Sequence, residues 1–96
     1  MKLKHEFGEL YCHKQNGWWY IDSIFVDPEH RNEGVGTWLM NVALARCGRP
    51  IVLFATPELG STLKGLKGFY RRFGFEDVRQ MRGDWFPYKY NMILWK

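Results

Sequence analysis

Residues 21–39 run IDSIFVDPEHRNEGVGTWL, a strand-like apolar stretch, a charged turn, two glycines one residue apart and the start of a helix. A chain written in that order must pass from a strand through a tight loop into a helix N-terminus, and that junction is a phosphate-binding device. The first turn of a helix carries unpaired backbone N–H groups and the positive end of the helix dipole, so an anion is held there without a further cation. Gly34 and Gly36 let phosphates approach the backbone because neither carries a side chain. Arg31 places a guanidinium at the loop entrance, able to bond phosphate oxygens in a bidentate manner.

Spacing separates the phosphate loops that could be written this way. A dinucleotide fingerprint needs a third glycine three residues after Gly36, where Leu39 stands, and a Walker loop needs Gly-Lys-Ser/Thr, whereas Gly36 is followed by Thr37. The run Arg31-Asn32-Glu33-Gly34-Val35-Gly36, preceded by Val26-Asp27-Pro28-Glu29, instead resembles the acyl-CoA pyrophosphate loop of the GNAT acetyltransferase superfamily, Arg/Gln-x-x-Gly-x-Gly/Ala. A second stretch, Gly68-Phe69-Tyr70-Arg71-Arg72-Phe73-Gly74-Phe75-Glu76, is similar to the same family's late helix ending in Tyr-x-x-x-Gly-Phe. Singly, a Gly-x-Gly is often a tight turn and a tyrosine at a helix end a half-buried aromatic. Two motifs in the family's order, spanning about residues 18 to 78 with soft edges, carry more weight than either.

The resemblance implies an acetyl-CoA-dependent N-acetyltransferase. By that likeness Arg31, Asn32, Glu33, Gly34, Val35, Gly36 and Thr37 hold the pyrophosphate. The backbone at Phe25 and Val26, where the family's strand bulges, bonds the pantetheine arm, Leu53 to Ala55 line the opposite side of the splayed strands, and Phe69 is a further cofactor contact. Tyr70 takes the position of the family's general acid, since a phenol can reprotonate a departing thiolate. For the base, Asp22 sits on the strand where many members carry an acidic residue, with Glu29 and His30 as rivals flanking the loop. Leu63 occupies the place of a common asparagine, leaving Ser61 or Thr62 as substitutes. Direct attack of an amine on the thioester in a ternary complex requires no covalent enzyme intermediate, so Cys12 and Cys47 are not needed as nucleophiles.

A pass along the chain predicts an α/β (α+β) fold, a mixed sheet of about five strands with two main helices. Gln15-Asn16-Gly17 joins two strand-like runs, residues 7–14 and 18–26, as an antiparallel hairpin. A helix from about Gly34 to Cys47 leads to a buried strand at 51–55, parallel to the one ending at Val26. A second helix opens at Gly60-Ser61-Thr62 and runs to about Phe73, with Leu63, Leu66, Phe69 and Tyr70 on one face, and strands follow at 75–79 and 88–95. That order is similar to a GNAT core over residues 1–96 without its usual first strand and first two helices, as in small phage-type members of the family. Since those helices wall the acceptor site, the likeness implies a site that is open or completed by a second subunit, and an open site favours an amine presented on a macromolecule, a protein lysine or another macromolecular amine.

Ninety-six residues at 46% hydrophobic and 18% aromatic suit one packed domain. No apolar run approaches the roughly 20 residues that cross a bilayer, nor does an apolar signal segment follow the first residues, so a cytoplasmic protein with reduced thiols and no membrane partner is expected. The histidines and cysteines lack the paired short spacings of a zinc site, so no metal is expected. The formal charge of +4 concentrates in Lys64, Lys67, Arg71, Arg72, Arg79 and Arg82, near Trp85, Phe86, Tyr88 and Tyr90. Coenzyme A phosphates account for part of this, and nucleic acid is the less favoured alternative. A non-catalytic module holding acyl-CoA or nucleic acid is the competing reading, and exposed aromatics leave a homodimer open.

Overall fold

Asn16 and Gly17 take φ values of 54° and 82°, the pair of left-handed residues that a two-residue hairpin turn demands. In the computed structural model, which describes residues 1–56, 62–78 and 90–96, this turn joins β2 (Gly8–Gln15) to β3 (Trp18–Val26) and sets their register from Gln15 opposite Trp18 outward. A further strand precedes them, β1 (Lys2–His5), antiparallel to β2. After β3 come a one-turn 3-10 helix (Pro28–His30), α1 (Val35–Arg46), β4 (Ile51–Leu53), α2 (Leu63–Arg71), β5 (Glu76–Asp77) and β6 (Met92–Leu94).

The sheet is mixed and six-stranded, in the order β1-β2-β3-β4-β6-β5. The expectation of about five strands missed β1, whose residues alternate charged and apolar over only four positions. β3 and β4 are parallel, as the intervening helix required. The last two strands are shorter than the sequence suggested, and residues 79–89, with the aromatic and basic positions noted there, lie outside the described residues, as do 57–61.

Alternation along each strand divides the sheet into two faces. Leu10 and Cys12 of β2, Ile21 of β3, Ile51 and Leu53 of β4 and Met92 and Leu94 of β6 pack with Leu39, Met40 and Ala43 of α1 and Tyr70 of α2. On the other face Tyr20, Val52 and Ile93, which are direct cross-strand partners, form a separate cluster with Trp18, Val78 and Tyr90. Both helices therefore cover one face. In α2, Leu66, Phe69 and Tyr70 pack inward, but Leu63, the first helical residue, stays exposed at the helix's open end. Thr62 caps that end by accepting the Gly65 N–H at 3.0 Å. Among the described residues no helix is long and apolar enough to cross a membrane.

β3 does not keep one phase. Tyr11 pairs with Ser23 and Cys12 with Ile21, so Asp22 is the extra residue of a β-bulge. Before it, Trp19 and Ile21 face the helices; after it, Ile24 and Val26 do. The slip sends Phe25 to the opposite face, where it is 47% exposed. The bulge was expected at Phe25 and Val26 and stands three residues earlier.

Cys12 of β2 and Cys47, which follows α1, are buried free thiols with Sγ atoms 3.9 Å apart. Burial, reinforced by Cys12, pushes the Cys47 thiol from 9.0 up to about 12. The folded chain thus keeps a proton that the unfolded chain releases. This contribution to stability is therefore intact below pH 9.0 and is lost as pH rises toward about 12, at most about 1.4 kcal/mol per pH unit. Melting curves across that range should show the decline, and Cys47→Ala should flatten it.

Candidate active site

The parallel pairing of β3 with β4 stops at Ile21 opposite Leu53, while β3 continues for five more residues. The chain beyond β4 is drawn the other way by Asn91, whose backbone N–H donates to the Leu53 carbonyl at 3.1 Å. The Asn91 side chain holds Ala55 from both sides, accepting its N–H at 2.7 Å and donating to its carbonyl at 3.0 Å. These bonds satisfy the backbone where the ladder would have continued, and so hold open a gap between the two strands.

A cavity of about 550 Å³ lies along this gap on the helix-covered side. Ile24 and Val26 of β3 form one wall, with Thr56 beyond β4. Leu66, Phe69 and Tyr70 of α2 form another, joined by Arg72, whose guanidinium sits 5.4 Å from the Phe69 ring centre. The end is closed by Arg31, Asn32 and Gly34 of the loop and by Val35, Gly36 and Thr37 of the first turn of α1.

That end has the features an anion needs. Gly34 is the N-cap of α1 at φ 84°, and no side chain caps the helix there, so first-turn N–H groups remain for whatever enters. Asn32 also takes a positive φ, 66°. A Cβ on Gly36 would stand 3.5 Å from the Phe69 ring and 3.8 Å from Val26, so its absence leaves space between helix and far wall. The residues present thus fit a pyrophosphate followed by a narrow, largely apolar arm.

The loop is braced from outside. Asp27 accepts the Glu29 N–H at 3.0 Å and donates its own N–H to the Phe7 carbonyl at 2.7 Å. His30 stacks on Phe7 with centroids 3.6 Å apart and bonds Glu33 at 3.1 Å. α2 is pinned by Asp77, which accepts from Arg71 at 2.6 Å and pairs with Lys67 at 3.1 Å. The Arg71 hydrogen bond, then that of Lys67, holds the Asp77 carboxyl below its ordinary value, so this brace weakens as pH falls through that lowered value. Lys67 and Arg71, read from sequence as facing an acidic partner, are thus engaged within the fold.

Of the expected site residues, the cavity brings together Val26, Arg31, Asn32, Gly34, Val35, Gly36, Thr37, Phe69 and Tyr70. Glu33 and His30 are turned to the outer brace; the Phe25 side chain lies on the opposite face, while its backbone, the part expected to bond the pantetheine arm, belongs to the stretch of β3 beyond its pairing with β4. Asp22 does not line the cavity; its Oδ2 lies 2.7 Å from Nδ1 of His13. Ile24, Thr56, Leu66 and Arg72 join the walls without having been singled out as site residues. Among the described residues no three metal-ligating side chains gather. Ser61 lies outside the described residues.

Comparison with known proteins places this architecture. The model of the acetyltransferase (GNAT) domain matches residues 4–77. The chain belongs to the GNAT acetyltransferase family. An uncharacterized N-acetyltransferase of Methanocaldococcus jannaschii is 41% identical over 66 residues, which are 66% of this chain and 28% of that protein. An N-acetyltransferase of Escherichia coli, also uncharacterized, is 32% identical over 71 residues, 70% of this chain and 42% of that one. The chain therefore spans less than half the length of these curated GNAT relatives. In fold it is similar to the anti-CRISPR protein AcrVA5, with a TM-score of 0.72 at 24% identity over 100% of this chain and 97% of that one. Arabidopsis thaliana Naa50, solved with the bisubstrate analogue CoA-Ac-MVNAL, superposes with a TM-score of 0.61 at 23% identity over 91% of this chain and 62% of that one.

Proposed function

We propose that this chain transfers the acetyl group of acetyl-CoA to an amine carried on a protein or another macromolecule, by direct attack within a ternary complex. The observation that carries the reading is the cavity itself. It joins an uncapped helix N-terminus with two glycines, a pair of splayed parallel strands and a buried tyrosine in one continuous space. Phosphates fit the loop end; an acyl-pantetheine arm fits the gap, where the exposed edge of β3 beyond Ile21 offers backbone groups to a thioester and its amide links. Tyr70 belongs to the opposite wall, and its phenol is the group that returns a proton to the sulfur as the carbon–sulfur bond breaks.

An acceptor on a macromolecule is supported by the second sheet face, which among the described residues carries side chains of the strands and no helix, so a bulky acceptor can reach the gap. The bisubstrate analogue CoA-Ac-MVNAL, bound to the similarly folded Naa50, supports the same reading. Incubation with acetyl-CoA and a lysine-containing peptide library, followed by mass spectrometry, tests the reading. Peptides should gain one acetyl group, and Arg31→Ala should raise the KM for acetyl-CoA by about tenfold, the loss of one charge-assisted phosphate contact. Binding of acetyl-CoA without transfer would leave a binding module in its place.

A further inference from the structure

Two guanidiniums line the cavity, and the phosphate loop accounts for one of them. Among the described residues the lining holds Arg31 and Arg72 as its only charged side chains, with no carboxylate, so the space favours an anionic ligand throughout. Arg31 belongs to the loop before the first turn of α1, where a pyrophosphate fits. Arg72 comes from the other wall. It is the C-cap of α2, and its side chain is exposed, which puts its charge at the open rim of the cavity.

That charge is not neutralised within the fold. Lys67 and Arg71 both pair with Asp77, at 3.1 Å and 2.6 Å, whereas among the described residues no carboxylate pairs with Arg72. Its guanidinium lies over the Phe69 ring, 5.4 Å from the centre. A ring face holds a guanidinium in place without accepting its N–H groups as a carboxylate would. Arg72 is thereby positioned on the cavity wall with donors left for a ligand.

The same ring sets the spacing. The tip of Phe69, its Cζ, is 3.5 Å from a Cβ built on Gly36 in the first turn of α1, while Arg72 lies over its face. The two anion positions, on the α1 N–H groups and on Arg72, are therefore neighbours separated by the width of a ring. Coenzyme A carries its charges in that pattern. Its pyrophosphate and a further phosphate leave the 5′ and 3′ oxygens of one ribose, across a single sugar ring.

We propose that Arg72 binds the 3′-phosphate of the coenzyme and makes the protein select coenzyme A over its 3′-dephospho form. This deepens the acetyltransferase reading above and rests on its cofactor. A phosphate monoester carries up to about two negative charges at pH 7, and the guanidinium fork matches two of its oxygens. Loss of that phosphate leaves the pyrophosphate and the pantetheine arm as they were, so the discrimination resides in this one contact.

Calorimetric titration of wild type, Arg72→Gln and Arg71→Gln with coenzyme A and with 3′-dephospho-coenzyme A tests the assignment. Wild type should bind coenzyme A about tenfold more tightly than the dephospho form, the size of one charge-assisted contact. Arg72→Gln should lose about tenfold in affinity for coenzyme A, keep its affinity for the dephospho form, and so bind the two alike. Arg71→Gln removes an adjacent cation that Asp77 already holds, and should retain the tenfold preference, which separates a specific contact from net charge. Equal affinities in wild type, a preference that survives in Arg72→Gln, or an equal loss for both ligands in that variant overturns the assignment while the cofactor site stands. Binding of neither ligand by wild type overturns the acetyltransferase reading with it.

Discussion

Gly36→Val is expected to weaken acetyl-CoA binding by at least about 100-fold, roughly 3 kcal/mol, while the protein remains folded. The reason is the space that the missing side chain leaves. A bare Cβ at this position already comes to 3.5 Å from the Phe69 ring and 3.8 Å from Val26, ordinary contact that an alanine would satisfy. The two γ-methyls of valine extend further into the gap between α1 and α2 and occupy the path to the first-turn N–H groups. They touch a cavity rather than a packed core, so the expected loss is in binding, with only the small helix-propensity change of a glycine replaced by a β-branched residue. Gly34→Ala provides the contrast. Nothing lies within 4 Å of a Cβ there, but φ is +84°, so its effect is backbone strain of about 1 to 2 kcal/mol at the helix entrance. Calorimetric titration and thermal melting separate the two: Gly36→Val loses affinity at nearly constant Tm, and Gly34→Ala loses Tm as well.

Tyr70→Phe is expected to lower kcat by about 100-fold or more with acetyl-CoA affinity unchanged within twofold, the range for loss of one positioned acid. The tyrosine is 5% exposed, its ring set edge-on to Phe69 at 5.3 Å and to Phe75 at 6.0 Å. Phenylalanine keeps those aromatic contacts, so the substitution removes the hydroxyl and little else. The decisive comparison is steady-state kinetics beside equilibrium binding. A fall in kcat alone identifies the hydroxyl with a step after binding, and equal kcat in the two proteins would remove Tyr70 from the reaction.

How far the sequence was readable depended on whether a feature is local. The Asn16-Gly17 turn, the glycines of the loop and the Pro50 boundary act over a few residues, and the hairpin, α1 and the parallel β3–β4 pairing follow from them. The register set by the turn even places His13 opposite Tyr20 and so diagonal to Asp22, a distance that cross-strand side chains can bridge, and the hydrogen bond between them follows from that local pairing. The bulge was not legible at its true place. Nothing in Ile21-Asp22-Ser23-Ile24 distinguishes an extra residue from simple alternation, since the choice is made by burying Ile21 and Ile24 on the same side against α1. That one-residue slip turned the Phe25 side chain to the opposite face and brought the Ile24 side chain to the cavity. The departure of the chain after Leu53 was equally hidden, because it depends on Asn91, 36 residues beyond Ala55. His30 and Glu33 read as site residues from their place in the loop, and only the stacking of His30 on Phe7 turns them outward.

The most direct test of the account is an amide-resolved NMR titration of the isotopically labelled protein with coenzyme A. The account predicts that the largest shifts fall on the N–H groups of Gly34, Val35, Gly36 and Thr37, with a second group at Ile24 and Val26 along the gap, and smaller changes at Tyr11 and Tyr20 on the opposite face. Shifts concentrated on that opposite face, or none at the first turn of α1 at saturating coenzyme A, would contradict it.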